Sequence, residues 1–390
     1  DYLQVDPHFG GNEAFRKLVK ECHRKGIRLI LDFAFNHVGT GFSAFQDCLK
    51  NGKASPYFNW FDWYKFPLPK EIPADFQAID YYQCWWGHAS LPDLNYDLER
   101  LHPDENYLFD EKDAAVNQPL VDYLMRVVEF WLTEMDIDGF RLDVPNEVPF
   151  WFWKKFRQKV KSLKPEAYLV GEIWHNAEEW LGNYFDAVMN YNYFREPMLH
   201  YFALQDLSGE KFLAALAGGL HNYGFTDLSL MMNLLDSHDT YRFLEAVNGD
   251  ERKLKLAVLF QMGWIGVPHI YYGDEVGLRG GGDPDNRRPM NWNYFSDQHL
   301  SALHDFYAEL LEIRKSHLCL VYGDVRIKLY DELILLERIL GEESILIIIN
   351  NTETTKEYFL PTTCSDLLIK RQISGTIRLE AFEGKVMRRN

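Results

Sequence analysis

The sequence predicts a parallel α/β fold: a TIM-type (β/α)8 barrel, interrupted by one inserted subdomain and followed by a small antiparallel β domain. Three observations carry that expectation. Helical stretches alternate with short, almost continuous apolar runs, the pattern of strands covered by helices on both faces. Polar residues collect where those runs end, at Asp32, Asn36, His37, Asp143, Glu172, His238 and Asp239. In parallel α/β barrels the chemistry sits at the C-terminal ends of the strands. Beyond about residue 317 the rhythm changes to short alternating strands.

The elements follow in order. "NEAFRKLVKECHRKGI" sets Phe15, Leu18, Val19 and Cys22 on one helical face, with Gly26 as the stop. Asp6 and Pro7 shape a turn before it, and the strand "IRLILDFAF" follows. The same grammar repeats as "LVDYLMRVVEFWLTEM" before "IDGFRLDV", then "FWFWKKFRQKVKSL" before "AYLVGEIW". Shorter strands come at "YFDAVMN" and "SLMMNLLDSHD", and "RKLKLAVLFQMGW" precedes "GVPHIYYGDE". An open doubly wound sheet is the rival fold, but no Gly-rich phosphate turn follows any strand. Six helix–strand units are readable, whereas a closed barrel needs eight strands. The first two strands are therefore expected upstream of Asp1, in a chain that opens without an initiator Met.

Residues 38–117 break the rhythm with aromatics and turns ("SPYFNWFDWYKFPLP", "YYQCWWGHASLPDLNYD") and are expected to form an inserted subdomain. The barrel is then assigned residues 1–37 and 118–316. Residues 317–390, with a turn at Gly341-Glu342, are assigned to a C-terminal β-sandwich domain.

Bulk properties exclude some functions. Lys+Arg 41 against Asp+Glu 58 gives a formal charge of −17, which repels phosphate backbones and argues against nucleic acid. No apolar run reaches the roughly 18 residues of a membrane span. The five scattered cysteines show no metal-ligand spacing and fit a reducing compartment, so a cytoplasmic setting is expected. Histidines such as His200, His221 and His317 are read as surface or satisfied core residues.

Three acids stand out: Asp143, Glu172 and Asp239, each ending a buried run. One such acid could be a cap or half of an ion pair. Three on separate strands, beside Arg141 and two histidines, point to chemistry. Residues two apart on a strand share a face, so Arg141 is expected beside Asp143, favouring its charged form. Glu172, between Gly171 and the apolar Ile173-Trp174, has no adjacent cation in sequence. An apolar setting raises a carboxyl pKa and suits a proton donor. Two carboxyls tuned in opposite directions are the working pair of a glycoside hydrolase.

"DFAFNH", "GFRLDVPNE", "GEIW" and "LLDSHD" resemble the four motifs of the α-amylase superfamily, in order and over roughly residues 1–316. "YYQCWWGHASLPDLN", the Asn-Glu after the second motif and "YYGDEVGLRGGGDPDNRRPMNW" resemble the cyclomaltodextrinase, neopullulanase and maltogenic amylase branch. The resemblance implies Asp143 as nucleophile, Glu172 as acid/base and Asp239 as transition-state stabiliser. It places Arg141, His37 and His238 on the sugar at the cleavage point. Asp283 and Arg287 fall on the non-reducing side, and Glu147 and Trp174 on the leaving-group side. Asn36 matches a calcium ligand of true α-amylases, an ion often absent from this branch, so no cofactor is required, calcium stays an open alternative and no metal ligands are assigned. Pro145 and "LPDLN" depart from the branch pattern and bear on fine specificity.

The implied substrates are α-glucan oligosaccharides: cyclodextrins, maltooligosaccharides, pullulan or starch, cut at α-1,4 and also α-1,6 links. The alternatives are an α-amylase or glucan transferase on starch-like glucans, or a non-catalytic truncated relative. The branch also implies an N-terminal β domain that helps form homodimers in a longer chain.

Overall fold

The computed structural model describes residues 1–69, 76–99 and 111–389, so parts of the expected insertion lie outside the described residues. The chain divides into two compact units, Asp1–Ile173 with Glu179–Val188, and Trp174–Glu178 with Met189–Asn390.

In the first unit, four parallel strands pair in the order β1 (Ile30–Ala34), β2 (Gly139–Asp143), β3 (Tyr168–Gly171) and β4 (Ala187–Val188). The register sets Asp32 beside Arg141 and Ala34 beside Asp143. Helix Gln118–Glu129 buries Leu120, Val121, Leu124, Val127 and Val128, an i, i+3, i+4 stripe facing the core. Helix Phe150–Leu163 buries Trp151, Phe152, Trp153, Phe156 and Val160. Aromatic edges knit these layers: Phe33 meets Phe140, and Phe156 meets both Phe35 and Phe140, each at 5.4 Å between centroids. On the first helix, Gly11–Arg24, only Val19 is buried, and Leu18 stands half exposed against expectation.

The inserted segment spends most of its aromatics on its own core. Trp63 stacks on both Phe45 and Phe58 at 5.4 Å, and Trp60, Phe61 and Tyr82 are buried.

In the second unit, β5 (Met232–Leu234) and β6 (Val267–His269) pair in parallel. All six expected parallel strands are thus present. A 22-residue helix, Gly209–Leu230, precedes β5 and bends at Gly224, where φ is +69°. Six antiparallel strands complete the unit: β7 (Asp324–Tyr330), β8 (Leu333–Leu340), β9 (Glu343–Asn350), β10 (Lys356–Asp366), β11 (Arg371–Leu379) and β12 (Glu383–Arg389). They hydrogen-bond into one sheet, in the order β11-β10-β12-β9-β8-β7, where a sandwich of two sheets is expected. The register of β10 shifts between Leu360 and Cys364, and only beyond the shift does it also pair with β12. Such an irregularity bends a strand, and the sheet encloses a core of its own, including Leu335, Ile348, Leu379 and Met387.

Two buried arginines anchor the end of helix Glu251–Gly263. Arg314 donates to the carbonyls of Met262 and Gly266, both at 2.6 Å. Arg338 of β8 donates to those of Gly263, Leu320 and Gly323, each at 2.8 Å.

Candidate active site

The candidate residues fall into the two units, and each group holds together within its own.

In the first unit Arg141 is the centre. Its Nη1 donates to Asp143 Oδ1 at 2.6 Å and to Asp32 Oδ1 at 2.9 Å. Its Nη2 lies 2.8 Å from Glu172 Oε1, an ion-pair contact rather than an aligned hydrogen bond. The two-residue strand period therefore places Arg141 beside Asp143 as expected. The expectation that Glu172 lacks a cation is overturned. Glu172 follows directly on β3, whose register brings Val170 beside Arg141, so the neighbouring strand supplies the charge. Burial alone would lower the Arg141 pKa, but Glu172, Asp32 and Asp143 together push it above the usual guanidinium value. What separates the two acids is burial: the Glu172 side chain is 7% exposed and that of Asp143 26%.

His37 stacks on Trp85 with centroids 5.0 Å apart. Burial holds its pKa below the usual imidazole value, with the charge of Asp143 acting in the opposite direction. The insertion clamps this strand end, since Leu94 N donates to Asn36 O at 2.8 Å and Val38 N to Pro92 O at 3.0 Å. Glu147 is buried and accepts from Trp86 Nε1 at 3.2 Å and Asn36 Nδ2 at 3.3 Å. Asn36 Nδ2 also donates to Asp93 Oδ1 at 3.2 Å. The amide thus faces two carboxylates as a donor instead of offering them an oxygen. Among the described residues no three His, Cys, Asp or Glu side chains gather as a metal cage.

In the second unit Asp239 is bracketed by an imidazole and a guanidinium. His238 Nε2 lies 3.0 Å from its Oδ2, and Arg287 Nη2 lies 3.2 Å from its Oδ1. Arg287 Nε lies 2.9 Å from Asp283 Oδ1, so the structure brings Asp283, Arg287, His238 and Asp239 together. Trp174 stacks on Tyr191 with centroids 3.7 Å apart and keeps 44% of its surface exposed. Asp274 ion-pairs with the buried Arg242 at 2.9 Å. Burial, with the neighbouring Asp236 carboxyl, holds its pKa well above the usual value, a structural arrangement.

Motif reading did not single out Asn286, whose Nδ2 donates to His238 O at 2.7 Å and Thr240 O at 2.9 Å. Nor did it assign Asp32 a site role, although strand register alone would pair it with Arg141. Tyr191 and Ser237 carry no sequence signal beyond lying near strand ends.

In the first unit, one parallel strand ends in an aspartate and the next runs into a glutamate, and the two carboxylates share one arginine. Residues 1–323 match the family described as alpha amylase, catalytic domain, and the chain belongs to that family. Over 365 residues it is 40% identical to a cyclomaltodextrinase of Geobacillus thermopakistaniensis, covering 93% of this chain and 57% of that protein. Over 327 residues it is 43% identical to neopullulanase 2 of Thermoactinomyces vulgaris, covering 84% of this chain and 51% of that protein. A solved cyclomaltodextrinase structure superposes with a TM-score of 0.86 at 37% identity, covering 99% of this chain and 64% of that one. The chain thus spans somewhat over half the length of the relatives it matches. The fold class is that of the family, an α/β barrel followed by an antiparallel sheet.

Proposed function

We propose that the chain carries the catalytic domain of a retaining glycoside hydrolase. It would cut α-1,4 and also α-1,6 glucosidic bonds in cyclodextrins, maltooligosaccharides and pullulan. The observation that carries this reading is one guanidinium holding both Asp143 and Glu172. A retaining enzyme keeps its two carboxyls close, whereas an inverting one leaves room for a water between them.

Asp143, the more exposed carboxylate, attacks the anomeric carbon. Glu172 takes the proton-donor role its motif position implies and protonates the departing glycosidic oxygen. Glu172 then deprotonates an incoming water, or a second sugar in the transfer reaction, and the glycosyl–Asp143 ester breaks. Asp239 takes the transition-state-stabilising role its motif position implies. No step is assigned to a metal ion. The five unpaired cysteines, four of them buried, support a reducing setting.

Proton NMR of fresh hydrolysate tests the mechanism. The α-anomer should be released first, and initial β-anomer would sink the assignment. The aromatic insertion and the Asp283–Arg287 pair support a preference for short or cyclic substrates. Rates on β-cyclodextrin, pullulan and soluble starch, compared at equal mass, check this. Starch turning over fastest would favour the plain α-amylase alternative.

A further inference from the structure

A continuous chain of contacts runs from Trp174 to Asp239 through two residues that the proposed mechanism does not use. The Trp174 and Tyr191 rings lie 14° from parallel at 3.7 Å. Tyr191 is fully buried, and its hydroxyl sits 3.0 Å from Ser237 Oγ. Ser237 Oγ in turn accepts the backbone N–H of Asp239 at 3.1 Å. Ser237 N donates to Thr240 Oγ1 at 2.9 Å, closing the turn that presents Asp239. Tyr191 therefore has one ring face on an exposed indole and a hydroxyl on the group that fixes the Asp239 main chain.

We propose that Tyr191 is a positioning residue that ties the Trp174 platform and the Asp239 carboxylate into one frame. The inference rests on the hydrolase reading above. Without the phenol, Ser237 Oγ loses a fixed partner in a site where both residues are buried. The hydroxyl can then rotate away from the Asp239 N–H, and the turn loosens. A misplacement of about 1 Å at a reacting group costs about 10²-fold in rate. A partial loosening should cost about tenfold. Trp174 keeps its stacking partner in Tyr191→Phe, so sugar binding on that side should survive.

The test compares Tyr191→Phe and Ser237→Ala in the full chain, with maltotriose and with an α-maltosyl fluoride, and repeats both in an Asp239→Asn background. On maltotriose, Tyr191→Phe should lower kcat about tenfold, with KM within about twofold and the melting temperature nearly unchanged. In the Asp239→Asn background it should cost nothing further on the fluoride, because its route to the chemistry is already removed. The same fold-loss in both backgrounds would make Tyr191 merely structural and overturn the inference, as would an unchanged kcat. If Tyr191→Phe fails to fold, Ser237→Ala decides by the same comparison. Absence of turnover on every α-glucan by the unsubstituted protein overturns the hydrolase reading and this inference together. A hydrolysing protein in which both substitutions are silent overturns the inference alone.

Discussion

Arg141 holds Asp32, Asp143 and Glu172 with one guanidinium, so the acids differ by burial and not by access to a cation. The proposed mechanism gives the proton-donor role to Glu172. Glu172→Gln should lower kcat by at least about 10²-fold, since a positioned general acid contributes about 10² to 10⁴. A glycosyl fluoride needs less protonation of its leaving group, so its cleavage should suffer less. Equal losses on both substrates would make Glu172 structural. The Arg141–Asp143 contact is legible in sequence because strand periodicity is local. The Arg141–Glu172 contact is not, because it depends on how β2 registers against β3. A second residue-scale expectation concerns His269, whose pKa is lowered to about 4 from 6.5, first by burial and then by His238. Above pH 6.5 the imidazole is neutral folded or unfolded. As pH falls from 6.5 to about 4, the unfolded chain takes up a proton that the native one refuses. Stability should fall by on the order of 3 kcal/mol across that window. Urea unfolding at several pH values measures it, and His269→Gln should flatten this part of the profile.

At the scale of elements, the strands that present the acids lie too close for side chains at certain points. Gly139 opens β2 at φ +155°, and a Cβ there would lie 2.1 Å from Tyr168 O. A Cβ on Gly171, the residue before Glu172, would lie 2.6 Å from Phe185 Cδ2. Gly139→Ala should therefore exceed the about 1–3 kcal/mol of ordinary overpacking, because backbone rather than a side-chain tip must yield. It should also reduce kcat, since Arg141 and Asp143 ride on the displaced strand. A thermal melt and a cyclodextrin assay check this, and wild-type values in both would refute it. The six strands are readable in the sequence because continuous apolar runs have few other uses. The Gly209–Leu230 helix is not, because the paired Gly218-Gly219 and the bend at Gly224 interrupt its periodicity. Most of the aromatics of the insertion serve its own core. Among the described residues a few, such as Trp86 at 74% exposure, remain open to a ligand.

At the scale of the whole molecule, the C-terminal strands were legible from alternation and the Gly341-Glu342 turn. Their gathering into one bent sheet was not, because it depends on a single register shift in β10. The sheet is also not a separable appendage. Arg338 in β8 satisfies three buried carbonyls, one of them at the end of helix Glu251–Gly263. Arg338→Met should cost at least about 3 kcal/mol, taking about 1 kcal/mol for each orphaned carbonyl. Urea unfolding would measure the loss, and a change below about 1 kcal/mol would show that water replaces the guanidinium.

The two arginines also bear on how such a gene can be inherited and recombined. Arg314 and Arg338 come 52 and 75 residues after the carbonyls of Met262 and Gly263, yet both plug the last turn of a helix that leads directly into β6. A crossover that replaced the C-terminal sheet with a donor lacking the second arginine would leave that helix end open, however well the sheets themselves matched. Recombination should therefore tolerate drift on the outer strands while preserving position 338. A shuffled library selected only for folding, with no glucan present, should retain that arginine as strictly as one selected for activity.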